Sequence, residues 1–360
     1  MCTTCQLPTL NESAAEAFGE RMLETINSGM LALMISVGHR SGLFDSMSGQ
    51  PFRDSDEVAR AAGLQERYVR EWLGAMVTGG IVEYDDATRS YRLPDEHAAC
   101  LTRAAGADNM AGFTQYLAVL GSVEDRIVEC FEKGGGVSYD EFPRFQAVMA
   151  EDSGQSVLPT LVDQILPLAP GLVERLEEGI DVLDVGFGLG RALNLLARRF
   201  PNSRFTGYEI SEEGLLAARS EAQAHGTTNL RVVKQDAASF DDDEAFDLVC
   251  SFDSVHDQAD PAAMLRNIRR ALRSDGVYLM QDIDTRSEVG LNRDHPLGPM
   301  IYTISCMHCM TVSLAAGGAG LGAAWGVDTA QRMLREAGFR ETEVNRLPHD
   351  VQNAYFVNRK

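Results

Sequence analysis

Three glycines at alternate positions, Gly186, Gly188 and Gly190, follow a short apolar run at 180–185 that carries Asp184. A helical pattern begins at once at Arg191. Glycines at such a junction let the chain turn sharply and let a ligand approach the main chain closely. The helix start adds free N–H groups and the positive end of a dipole. A strand, a glycine loop and a helix in that order make a cradle for a nucleotide-type cofactor. A dinucleotide fingerprint needs a glycine where Arg191 stands, so that reading is not met. The bland alternative is a glycine turn in some other α/β protein. Two acids, Glu209 and Asp236, close the next two apolar runs. A carboxylate in the first place can accept from ribose hydroxyls, and one in the second from an adenine amino group. Ala237 could add a backbone N–H to the ring. His256 follows the fourth run, and imidazole can take a proton from a hydroxyl near neutral pH. A structural histidine at a strand end is the plain alternative.

These residues need a scaffold that brings strand ends together. From residue 180 the chain alternates apolar runs with helical patterns. Strands are expected at 180–185, 204–210, 230–236, 246–252, 276–282, 342–347 and 354–358. Helices are expected at 191–200, 211–225, 261–272 and 328–337, with Ser211, Asp260 and Asp328 as N-caps and Gly338 as terminator. Alternation of this kind implies a mostly parallel sheet wound on both faces.

The first part has another rhythm. Helical spacing at 14–38 puts Phe18, Met22, Ile26, Met30 and Met34 on one face, as packing between subunits would need. Helices at 55–62 and 64–77 and strands at 81–84 and 90–93 then make a winged helix. DNA binding is disfavoured, because Glu66, Arg67, Arg70 and Glu71 balance in sign and the ribbon tip is Asp85-Asp86. A dimerisation or scaffold role is expected instead. The domain boundaries are then a tail at 1–12, a winged-helix domain at 13–100, a helical linker and cleft cover at 101–178, and the cofactor domain at 179–360.

The formal net charge of the 360 residues is -21, which disfavours nucleic acid and anionic membranes. Seven scattered cysteines fit a reduced, cytoplasmic setting better than a disulfide framework. Cys2, Cys5, Cys306 and Cys309 form two C-x-x-C pairs, read as inert thiols rather than a zinc site, and no metal is expected. Residues 1–10 lack the basic and apolar regions of a secretory leader. The span 297–327 carries no Asp, Glu, Lys or Arg, but its His308, hydroxyl residues and glycine run at 317–322 argue for a buried or pocket-lining cap over a membrane helix.

The form Asp184-x-Gly186-x-Gly188-x-Gly190 resembles the first motif of class I S-adenosylmethionine-dependent methyltransferases. The segment 252–261 sharpens the resemblance. Winged-helix O-methyltransferases carry an H-D-W-x-D-E-like segment there, and its histidine is the general base. This chain has His256, Asp257 and Asp260, with Gln258 in the aromatic's place and Pro261 in that of the second acid. The charge-poor region with Ser305-Cys-Met-His-Cys309 is similar to one in a bacterial subgroup of these proteins. The resemblance implies a seven-stranded, mostly parallel Rossmann-like methyltransferase sheet behind a helical winged-helix domain. It implies S-adenosylmethionine as cofactor and S-adenosylhomocysteine as product. Asp184, Gly186, Gly188, Gly190, Glu209, Asp236, Ala237 and Phe252 would hold the cofactor, and His256 would be the base. A substrate cap at about 286–327 would offer Tyr302, Met307, His308, Met310 and Trp325 to a small, mostly apolar acceptor. A homodimer through the N-terminal region is expected. Open alternatives are a thiol or amine acceptor needing no base, a cofactor-sensing transcriptional regulator, and a catalytically idle dimer.

Overall fold

The computed structural model describes residues 10–360. The chain divides into two compact units between Ala118 and Val119, inside the span expected to be a linker.

In the first unit, α1 (Glu12–Ser41) is one 30-residue helix. Asn11 caps its start, and Gly42, in the left-handed region, ends it. Helices α2 (Leu43–Met47), α3 (Ser55–Ala62) and α4 (Glu66–Thr78) precede a ribbon of β1 (Glu83–Asp85) and β2 (Ser90–Arg92), and α5 (Asp95–Leu101) comes next. The ribbon begins two residues later than expected. The N–H groups of Ile81 and Val82 both donate to the Met76 carbonyl at the end of α4, so they are not free for strand pairing. The core gathers Phe44, Val69, Trp72, Leu73 and Met76. Tyr68, one turn before Trp72, lies at the edge of this face and is exposed. The face of α1 bearing Phe18, Met22, Ile26 and Met30 is 41–62% exposed, so nothing among the described residues covers it.

Helix α6 (Gln115–Gly121) crosses the division. The second unit continues with α7 (Glu124–Lys133), α8 (Phe145–Ser156) and α9 (Leu172–Glu178). The sheet and its helices are β3 (Asp181–Val185), α10 (Arg191–Arg199), β4 (Arg204–Glu209), α11 (Glu212–His225), β5 (Leu230–Lys234), β6 (Phe246–Phe252), α12 (Pro261–Ala271) and β7 (Leu272–Ile283). Then come α13 (Gly298–Ile304), α14 (Met310–Ala315), α15 (Val327–Ala337), β8 (Glu341–Asn345) and β9 (Asn353–Arg359). The seven strands lie in the order β5-β4-β3-β6-β7-β9-β8, parallel except for the pairings of β9 with β7 and β8. Order reverses at β3, whose neighbours are β4 and β6, so a crevice opens at the carboxyl ends there. Two buried clusters, one centred on Leu183, Met264 and Tyr278 and the other on Val182, Leu193 and Leu279, make the core.

Several local expectations change, and β5 ends two residues short of Asp236. The fifth strand starts at Leu272 directly after α12. Asp328 is not the cap of α15: Gly326 holds that place and Asp328 sits in the first turn, paired with Arg286 at 2.8 Å. The span between β7 and α15 contains α13, a π-turn at 305–309, and α14. No helix among the described residues is long and apolar enough to cross a membrane.

Candidate active site

The glycine loop is shaped by contacts a side chain would destroy. Gly186 has φ +73 and its N–H donates to the Tyr208 carbonyl; a Cβ there would meet the Ser254 Cβ at 2.7 Å. Gly190 has φ +74 and opens α10; a Cβ there would meet that of Ala218 on α11 at 2.7 Å. Asn194, buried one turn on, donates to the Gly190 and Ala218 carbonyls and ties the two helices. Gly214, a minor cost by sequence alone, is required by close approach, since its Cβ would stand 2.3 Å from the Gly188 carbonyl oxygen.

Glu209 closes on this loop. One carboxylate oxygen accepts from the Gly188 N–H at 3.0 Å, and the other from the N–H groups of Ile210 and Ser211. Burial raises its pKa, against the pull of those donors. Asp184 is 3% exposed and its Oδ1 has no partner. Burial, with the nearby Glu209 charge, lifts it to about 7. A buried carboxylate oxygen without a donor marks a place where a ligand donor fits. Asp236 turns one oxygen onto the Ala238 N–H.

A cavity of about 790 Å³ is lined by Gly186, Gly188, Glu209, Asp236, Ala237, Asp257 and Gln258. Its apolar wall includes Phe142, Phe145, Val312, Ala315 and Ala316. A smaller one of about 120 Å³ is lined by Asp184, Phe187, Gly190, Phe252 and Asp253. The expected cofactor residues therefore line two adjoining spaces around one loop. Tyr139, Gln146 and Ser211 also face them, and sequence periodicity carries no signal for these.

His256 lines neither space. It is buried at 4% exposure, with Nδ1 2.8 Å from Asp282 Oδ1 and the Cys309 thiol against the ring. Burial alone pulls its pKa down, but the Asp282 carboxylate prevails and holds it well above the ordinary value. Asp257, next in the chain, does face the larger cavity, and burial lifts it to about 6. Asp253, His256 and Asp282 offer ligand atoms all within 4.8 Å, the one such group among the described residues. Asp282 Oδ1 already accepts from His256, the Trp325 indole and the Ile283 N–H, so the group reads as a hydrogen-bonded cluster.

The expected acceptor residues are placed elsewhere. The Tyr302 hydroxyl accepts from Asn292 at 2.9 Å. Trp325 is buried against Asp282, and Met307 is half-buried away from both spaces. Met310 lines a separate apolar cavity of about 570 Å³ together with Cys130, Phe131 and Cys306. His308 is stacked on Phe145 at 3.4 Å and ringed by Tyr139 and Phe142. Burial keeps its pKa well below the ordinary value. Cys306 and Cys309 form no disulfide among the described residues; Cys2 and Cys5 lie outside them.

Residues 176–338 match a family described as a methyltransferase domain, and residues 29–103 match an Rv2258c-like winged HTH domain. A tRNA (guanine-N(7)-)-methyltransferase of Pseudoalteromonas atlantica is 43% identical over 56 residues, 16% of this chain and 23% of that protein. One from Shewanella sp. (strain MR-4) is 38% identical over 80 residues, 22% of this chain and 34% of that protein. The chain thus spans a quarter to a third of the length of these curated relatives. The mitomycin 7-O-methyltransferase MmcR shares the fold with TM-score 0.71 at 17% identity, over 97% of this chain and 100% of that one. Human N-acetylserotonin methyltransferase, in complex with S-adenosylmethionine, matches with TM-score 0.64 at 16% identity, over 98% and 99%. An O-methyltransferase family protein of Burkholderia thailandensis matches with TM-score 0.67 at 15% identity, over 94% and 97%. At such identities the structural likeness speaks for the fold. The two matched segments stand in this order along the chain, a winged HTH domain followed by a methyltransferase domain.

Proposed function

We propose that the chain transfers a methyl group from S-adenosylmethionine to a hydroxyl oxygen of a small, mostly apolar molecule. The observation that carries this reading is the pair of spaces around the glycine loop, with Glu209 on the Gly188 N–H and a buried Asp184 oxygen without a donor. The amino-acid end of the cofactor fits Asp184, Gly190 and Phe252; the ribose fits Glu209 beside Gly186; the adenine fits Asp236 and Ala237. Bound there, the cofactor supplies a methyl group activated by a positively charged sulfur.

The chain's own part is alignment, exclusion of water and removal of a proton. Val312, Ala315 and Ala316 present an apolar wall to the acceptor, and Asp257 and Gln258 supply its few polar handles. Gln258 is held by its amide donating to the Ser254 carbonyl at 2.8 Å. His256, oriented through Nδ1 by Asp282, accepts the proton at Nε2. A second reading gives that proton to Asp257, because Asp257 lines the cavity and His256 does not. The seven carboxylates facing this space against the single Arg144 suit a small molecule better than an RNA backbone. The uncovered apolar face of α1 supports a homodimer.

Turnover of an isotopically labelled methyl donor across phenols, thiols and amines tests the proposal. A methylated phenol, lost in His256→Ala and kept in Asp257→Asn, is the expected result. The reverse pattern would move the base to Asp257, and methylation of thiols or amines alone would remove the hydroxyl acceptor.

A further inference from the structure

S-adenosylmethionine has an amino-acid arm and an adenosyl arm joined at one sulfur. If the arms occupy the smaller and the larger space, the sulfur must sit where the two spaces meet. The residues that line both are Tyr139, Gln146 and Gly188. Gly188 belongs to the loop beneath. The other two come from the opposite side, from the turn at 139–141 and from α8.

The Tyr139 ring is held in place. It lies at 83° to Phe145 and 78° to His308, which are themselves stacked. The turn that carries it is closed by a capping box between Ser138 and Glu141. Burial of its hydroxyl raises the pKa well above the ordinary value, and the Asp257 and Glu209 carboxylates add to this, so the surroundings are negative. Tyr139 is 41% exposed, which leaves ring surface for a ligand. Gln146 donates to the Ser211 hydroxyl at 3.0 Å, and its buried Oε1 has no partner. Whichever way the amide is turned, one of its polar atoms is left for a ligand.

We propose that Tyr139 and Gln146 clasp the methyl donor at its sulfur, with the Tyr139 ring face against the positive charge. This rests on the S-adenosylmethionine reading above. A desolvated cation over a ring face gains more than a neutral thioether does, and the thioether often sits at the ring edge instead. Tyr139 therefore favours the charged donor over the neutral product and assists product release, while Gln146 ties this side of the site to Ser211 beside Glu209.

Titration calorimetry of S-adenosylmethionine and S-adenosylhomocysteine with the full chain tests this without turnover. Tyr139→Phe keeps the ring and should preserve the ratio of the two affinities. Tyr139→Leu should weaken S-adenosylmethionine about 5- to 30-fold and the product by less than about threefold, the worth of a desolvated cation–ring contact. Tyr139→Met, which refills the volume without a ring, gives the same comparison should the leucine variant not fold. Equal loss for both ligands, or no loss for either, would overturn the proposal while leaving cofactor binding intact. A wild-type chain that binds neither ligand would overturn the cofactor reading itself, and this one with it.

Discussion

His256 and Asp282 meet in the interior, Nδ1 to Oδ1 at 2.8 Å, with the Trp325 indole N–H on the same oxygen at 2.9 Å. One oxygen thus fixes both a ring on the loop after β6 and an indole at the far end of the cap. His256→Ala should lower turnover by about 10²–10⁴-fold, the worth of a positioned base. Cofactor affinity should stay within about threefold, because Glu209 and Asp236 stand elsewhere. Loss of binding and turnover together would make His256 a structural residue.

The same contact sets the pH dependence. Asp282 holds the imidazolium well above its ordinary range, so the neutral base appears only as pH rises. The rate should climb through a midpoint above about 6.5. Asp282→Asn should shift that midpoint down. Stability from the charged pair is complete below about 6.5 and is lost as pH rises through the folded-state value. A rate profile flat between pH 6 and 9 would exclude His256 as the base.

Asp184 behaves in the opposite sense. Its pKa is lifted from 3.8 to about 7, so the fold prefers the neutral acid. The cost appears as pH rises above about 4 and is complete above about 7, on the order of 4 kcal/mol at most. Asp184→Asn should therefore be more stable than wild type at pH 8 by about 2–4 kcal/mol and equal to it near pH 3.5, in urea melts without ligand. Its cofactor affinity should fall, an exchange of function for stability.

Glu209→Ala should weaken S-adenosylmethionine by about 1.5–3 kcal/mol, the range for hydrogen bonds to a charged group. Three backbone N–H groups lose their acceptor as well, so the glycine loop should exchange its amide hydrogens faster. Unchanged calorimetric affinity in a folded variant would remove Glu209 from the site.

Ile26 and Met30 lie on the uncovered face of α1. The double change Ile26→Asp with Met30→Asp should convert a dimer to a monomer in light scattering, from twice the 39.3 kDa chain mass to one. A variant that stays dimeric would place the interface elsewhere.

Much of this was legible because it is local. The glycines at 186–190, the acids at strand ends and the helix–helix–ribbon rhythm at 55–92 each depend on a few adjacent residues and their backbone preferences. The sequence by itself therefore determined the doubly wound sheet, the winged helix and the glycine loop with its acids. Tertiary structure decided which side chains face the site. The π-turn at 305–309 adds a residue to a helical turn and rotates α14 by about 100° relative to α13. Val312, Ala315 and Ala316 thereby face the cofactor cavity while Met310 faces another. Trp325 reaches Asp282 across 43 residues, a contact no periodicity announces. His256 is drawn inward for the same reason: the acid that holds it stands on β7, and only folding brings the two strand ends together.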